Sequence, residues 1–201
     1  MIAHRAQGKA KMSVAHLRGP IVSGALSWFR RTYGEEALEQ ALQRLPAGTQ
    51  ARFGAIPAVG WYPIAWFEEL LDVLFAEAHA RTGISREDFD YRGVEEAGRS
   101  IAASVYQLIL TVVGPERFFP LLSSLLRRLY DQASLEVIEN RHGYARIQLR
   151  GVREMKRPFL RLLPPMKGAL ARSGALRVVF TTSQEEESER NFLLEIVVRY
   201  E

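Results

Sequence analysis

The chain has 201 residues, is 47% apolar, carries 27 basic against 23 acidic side chains and contains no cysteine. That length and composition predict a folded domain with its own core, and they exclude a disordered chain, a disulfide framework, a thiol nucleophile and a thiolate metal site. No apolar run approaches the ~18 residues of a membrane-spanning helix, and the start lacks a signal core, so the expectation is a cytoplasmic protein with no membrane span.

In chain order, residues 1–17 read as a basic flexible leader and residues 18–201 as a single α+β domain. The first twenty residues hold Arg5, Lys9, Lys11 and Arg18 and no acid, which accounts for the whole net charge of +4. The remainder is neutral. A nucleic-acid domain concentrates its excess on the fold, so a nucleic-acid partner is not expected. Ile21 and Val22 read as a short extended segment or the lead-in to a helix, followed by a short helix from Ala25 to Thr32 anchored by Trp28 and Phe29. Glu35 to Leu45 reads as a helix with acids at its start, one stripe of Leu38, Leu42 and Leu45, and Pro46 at its end. Ala47 to Val59 reads as a connection. Pro63 suits the first turn of a long helix running to Arg81 and stopped by Gly83. Ser85 with Asp88 resembles a capping box. Gly93 to Val113 reads as the next helix, on the period of Val94, Ala97, Ile101 and Val105. A further helix follows Gly114-Pro115 and reaches Gln132, with Pro120 in its first turn or at a kink.

From Ser134 to Tyr200 the pattern changes to strand, strand, helix, strand, strand. Ala145, Ile147 and Leu149 alternate with Arg146, Gln148 and Arg150, and Asn140 to Gly143 supplies the turn before them. An irregular stretch holding Pro158, Pro164 and Pro165 precedes a short helix that ends at Ser173. Leu176 to Thr181 reads as a strand, Ser183 to Arg190 as an acidic, solvated loop. Phe192, Leu194, Ile196, Val198 and Tyr200 then repeat every second residue. The predicted architecture is N-terminal helices packed on a four-stranded antiparallel sheet in the C-terminal third.

Chemistry is sparse. His79 alone among four histidines sits on a helix, within reach of Glu68, Glu69 and Asp72, but the spacing matches no metal signature, and no metal is expected. Ser173-Gly174 is no nucleophile elbow, and no glycine-rich loop follows a strand into a helix. Aromatic side chains are the richest material. Trp61, Tyr62, Trp66, Tyr106, Phe118 and Tyr130 read either as core or as the lining of an apolar ligand pocket between helices and sheet.

Gly34-Glu35-Glu36-Ala37, Leu45-Pro46, Gly60-Trp61-Tyr62-Pro63, Gly114-Pro115-Glu116, Leu129-Tyr130-Asp131 and Ser173-Gly174-Ala175 occur in the order seen in a paralogous family of proteins of this length found mainly in myxobacteria, which the chain resembles from Leu17 to its end. The C-terminal half is also similar to the wider superfamily of four-vinyl-reductase domains, haem-nitric-oxide-binding domains and TRAPP trafficking subunits. The resemblance implies helices followed by a four-stranded sheet with a helix between its two hairpins, and binding of small molecules or acyl chains, or dimerisation as a scaffold. Four-vinyl-reductase domains carry cysteines near the last hairpin; Thr181 to Asn191 has none. Haem-binding relatives carry an axial histidine before the first strand and a Tyr-x-Ser-x-Arg motif. Arg127 to Asp131 has no histidine, and Tyr144-Ala145-Arg146 does not restore the motif. The expectation is therefore a chain without a cofactor, with haem disfavoured.

The function these readings imply is a non-enzymatic, small-molecule-sensing or scaffold domain in bacterial signalling. Its expected partners are a second copy of the chain, a small apolar ligand and a signalling protein. The alternatives are a protein–protein interaction module without ligand, or an enzyme using Glu68, Asp72 and His79.

Overall fold

The structure, a computed structural model, describes residues 14–53, 60–102, 114–188 and 191–201. Its first element is a three-residue strand, β1 (His16–Arg18), which pairs antiparallel with β2 (Trp61–Pro63). Regular structure thus starts inside the stretch read as leader. Leu17 is fully buried there, with Tyr62 opposite it in β2 and an isolated bridge to Tyr130 on its other side.

Helix α1 (Gly19–Tyr33) follows at once, because Pro20 is preset for a first helical turn; Ile21 and Val22 are helical and buried, which decides between an extended segment and a helix start in favour of the helix. Trp28 and Phe29 meet Phe89 of α5 (Arg86–Ala102) edge to face, the Trp28 and Phe89 rings 5.0 Å apart, and Tyr33 packs on Trp28 and Phe29. Gly93 permits this approach, since a Cβ there would lie 3.1 Å from the Trp28 ring. Helix α2 (Glu35–Gln43) buries Ala37, Leu38 and Ala41 and packs on α4 (Ile64–Thr82). Between them Glu77 is buried, held by Arg44 of the α2 C-cap at 2.5 Å and by Arg81 at 2.6 Å. A short helix, α3 (Ala47–Phe53), occupies part of the stretch read as a connection; Phe53 is buried beneath it. Gly83 ends α4 in the left-handed conformation at φ 70°. Ser85 Oγ caps the next helix as expected, accepting from the Asp88 N–H at 3.1 Å and donating to the Asp88 carboxylate at 2.8 Å. That helix is a full one beginning at Arg86, and it runs through Gly93. The expected continuation to Val113, including Tyr106, lies outside the described residues.

Helix α6 (Pro115–Leu129) lies along β3 (Ala133–Arg141), with Pro120 inside it. Ser123 Oγ donates to the Leu135 carbonyl at 2.5 Å, and the Asn140 amide donates to the Glu116 carbonyl. Strands β3, β4 (Tyr144–Val152), β5 (Val178–Glu187) and β6 (Asn191–Tyr200) form one antiparallel sheet in the order β3-β4-β6-β5. It consists of two hairpins side by side, with α7 (Lys156–Arg172) between them in sequence. The core face of the sheet is the alternating set read from the sequence: Ala145, Ile147, Leu149, Leu194, Ile196 and Val198 are all buried. Helix α7 packs on that face through Phe159, Met166 and Leu170, and its other side meets α5. It is the middle layer between the sheet and the N-terminal helices.

Two expectations about this half are corrected. The helix between the hairpins is long and takes in Pro158, Pro164 and Pro165, because its apolar contacts with the sheet outweigh the cost of prolines in a helix. The acidic stretch from Ser183 is not a loop: β5 continues to Glu187, with Glu185, Glu186 and Glu187 opposite Leu194, Leu193 and Phe192. As an edge strand it can carry charges that a central strand could not.

Candidate functional site

Where α4, α5 and α7 meet, six charged side chains converge. Each helix contributes two at a spacing of four residues: Glu68 and Asp72 from α4, Arg86 and Asp90 from α5, Arg157 and Arg161 from α7. This spacing stacks each pair on one helix face. Arg161 lies deepest, its side chain only 9% exposed. Its Nη1 donates to both Glu68 carboxylate oxygens at 2.8 and 2.9 Å, and its Nε lies 2.9 Å from Asp90 Oδ2. Arg86 Nε donates to the two Asp90 oxygens at 2.9 and 3.1 Å, while its Nη1 donates to Asp72 at 2.8 Å. Arg157 stands at the rim, 3.3 Å from Asp72 and 3.6 Å from Glu68. The Nη2 atoms of Arg86 and Arg161 are buried and have no hydrogen-bond acceptor.

The electrostatics follow from depth. Burial pushes the Glu68 carboxyl up to about 7, with Arg157 pulling the other way. Burial also raises Asp90, opposed by Arg86. Tyr130, at the end of α6, is raised by burial and by the nearby Glu68. Tyr130 stacks edge-on against Phe159 at 5.5 Å, and Phe159 in turn meets Phe192 of β6 at 5.9 Å. A continuous path of packed rings therefore links the charged cluster to the sheet.

Of the six aromatic residues proposed as a pocket, Tyr62 and Tyr130 flank Leu17 from opposite sides of β1. Trp61 is exposed beneath the Arg18 guanidinium at 4.2 Å, and Trp66 is half-buried beneath Arg52 at 3.9 Å. Phe118 is buried against Phe119 in α6. Tyr106 is outside the described residues. An open groove of about 700 Å³ at the ends of β3, β4 and β6, bordered by Asp131, Ser134, Arg150 and Phe192, contains none of the six. Glu68 and Asp72, read as possible acid–base groups, do share a site. His79 does not join them: it is exposed, its Nδ1 2.9 Å from the Ile84 carbonyl and its ring against Phe75. His16 pairs with Asp131 at 2.9 Å and His142 with Glu116 at 2.9 Å. Among the described residues no group of three or more His, Cys, Asp or Glu could hold a metal ion, and no helix is long and apolar enough to cross a membrane.

The sequence held a signal for the charged cluster that residue-by-residue reading missed. Like charges four residues apart destabilise an isolated helix. Glu68 with Asp72 and Arg157 with Arg161 are two such pairs of opposite sign, so each points to the other as its compensation.

No protein-family model and no curated protein matches the chain. Solved structures do. The chain is similar to an Fe(II) unliganded H-NOX protein from K. algicida at 14% identity and a TM-score of 0.66, covering 92% of this chain and 97% of that one. An oxygen-binding H-NOX domain related to soluble guanylate cyclases, in its oxygen complex, matches at 11% identity and 0.66, over 92% and 95%. A structure titled for modulation of haem redox potential through protein-induced porphyrin distortion matches at 9% identity and 0.67, over the same shares. The fold is thus that of the H-NOX domains, the haem-binding branch of the resemblance drawn from the sequence. These matches overturn the expectation of a chain without cofactor and with haem disfavoured. That expectation rested on a few missing motif residues, whereas a fold is held by its core pattern and survives at very low identity. The histidines of the described residues all lie near the surface with partners of their own, and α6 contains none, so the described residues assign no axial ligand.

Proposed function

We propose that the chain is a small-molecule-sensing domain of bacterial signalling, itself non-enzymatic, working inside the cell. The observation that carries this reading is the H-NOX fold, matched over 92% of the chain. Trp61, Tyr62, Trp66, Tyr106, Phe118 and Tyr130 are the proposed ligand-facing set, and tetrapyrroles, haem included, are the first ligands to test on the strength of the fold. Kinship with the myxobacterial paralogous family belongs to the same reading. The α4–α5–α7 cluster supports it physically: a polar junction with unspent donors can be reset by a modest displacement, as a sensor requires.

The test is a titration of the purified protein with haemin, protoporphyrin, long-chain fatty acids and aromatic metabolites, following absorbance and thermal melting in chloride buffer. A ligand that binds the native state at a hundredfold excess over its Kd adds about 2.7 kcal/mol of stability. At least one class is expected to bind stoichiometrically and raise the melting temperature. If no class shifts either signal, the sensing reading is withdrawn.

One observation favours a second reading, a protein-interaction module. β5 is an edge strand; its Val179 is 49% exposed, and Leu176 just before it is 91% exposed. Pairing of this edge with a second copy would give a homodimer.

A further inference from the structure

We propose that Asp72 fills an anion position shared by three guanidiniums, and that a small oxyanion, a carboxylate or a phosphate monoester, binds there by displacing it. The inference does not depend on the aromatic ligand set or on any tetrapyrrole.

The contacts of Asp72 are unequal. Its Oδ1 takes a good hydrogen bond from Arg86 Nη1 at 2.8 Å, a long one from Arg157 Nη2 at 3.3 Å, and lies 3.9 Å from Arg161 Nη2. One short carboxylate is therefore spread over three cations and satisfies one of them well. The other two carboxylates are committed: Glu68 to Arg161 Nη1 and Asp90 to the Nε atoms of both Arg86 and Arg161. What remains unspent are the buried Nη2 atoms of Arg86 and Arg161. A buried N–H without an acceptor costs more than the bond it lacks, so the position favours an acceptor with more oxygens or a freer approach than a side chain tethered to α4 allows. Arginine forks match carboxylate and phosphate geometry.

Position and charge favour exchange. The Asp72 side chain is 49% exposed and Arg157 58%, so the acid can swing into solvent and an incoming anion meets Arg157 first. With all six groups ionised the cluster is neutral. Burial moves Glu68 towards the neutral form around physiological pH, and each protonation there leaves a positive excess beside Asp72. The departure of Asp72 would add a further uncompensated cation for the ligand to pair.

The experiment is chemical rescue, using thermal melting of the full chain as wild type, Asp72→Ala, and Asp72→Ala combined with Arg157→Ala. Each is titrated with acetate, phosphate or chloride at equal ionic strength. The wild type is expected to gain a few degrees at most, because Asp72 competes. Asp72→Ala should melt lower in chloride and recover saturably with acetate or phosphate; the better rescuer assigns the ligand class. Removing Arg157, whose side chain is largely exposed, should abolish the saturable part. If Asp72→Ala melts identically in all three salts, or if rescue persists unchanged without Arg157, the proposal is overturned. Neither result bears on the haemin and fatty-acid titrations, which are run in chloride.

Discussion

Glu68 is a carboxyl whose behaviour its surroundings change strongly. A carboxyl held at about 7 instead of its ordinary 4.5 binds its proton more tightly in the folded chain than in the unfolded one. Its contribution to stability is therefore complete below the ordinary value and is lost as pH rises through about 7. Asp90 is shifted in the same direction. The melting temperature is expected to fall as pH is raised across that window, and Glu68→Gln, which stays neutral throughout, should flatten most of the slope. An unchanged slope in the Gln variant would move the source of the pH dependence elsewhere. Glu68 and Asp72 could be singled out from the sequence as an acidic pair on one helix face. Their partners were missed by residue-by-residue reading, because Arg86 lies on the next helix and Arg157 and Arg161 come from beyond two strands of the sheet, and only the matching four-residue spacing of the two arginines hinted at them. His79 was grouped with the acids by spacing along α4, but its imidazole is drawn instead to the free carbonyl of Ile84 after the helix ends.

Among the elements, the strands were the most legible. In β4 and β6 the two-residue alternation coincides with burial position by position, since one face of each lies under α7. Pro63 and Gly83 marked the start and end of α4, and Gly114-Pro115 the start of α6. Helix α7 was foreshortened in the sequence reading because local rules place a break at Pro164-Pro165. The structure shows what overrides them: Phe159 is fully buried between Tyr130 and Phe192, and Leu170 is fully buried further along the same helix. Replacing Phe159 by Ala is expected to cost about 3–5 kcal/mol in chemical denaturation. The neighbouring Leu160→Ala, on the exposed side, should cost well under half of that. Equal losses at the two positions would mean that α7 does not present the face seen here. The acidic end of β5 was misread for a similar reason: composition suggested a loop, whereas pairing with β6 requires only the backbone.

At the scale of the whole molecule, the order of layers decides what the protein can do. The sheet has two free edges, β3 flanked by α6 and β5 with Leu176 and Val179 at its side. If copies associate, they do so through β5. Sedimentation of the wild type at micromolar concentrations should then show a dimer, and Leu176→Lys with Val179→Lys should give a monomer with an unaltered melting temperature. A wild type that stays monomeric removes this interface. The broad fold class was readable because it rests on pattern; the charged cluster was missed, because its side chains come together from three separate helices. One small feature governs how the chain would respond to a pull. β1 is stitched on one side to β2, where Gly19 N–H donates to the Gly60 carbonyl and Ile64 N–H to the Ala15 carbonyl, and on the other to Asp131 and Gln132, which bond His16 and Val14. Tension applied at the amino end, by a fused tag or a tethered neighbour, would load the entry to α4 and the exit of α6 together. The helical layer and the sheet would feel that force through the same short segment, as two doors on one latch.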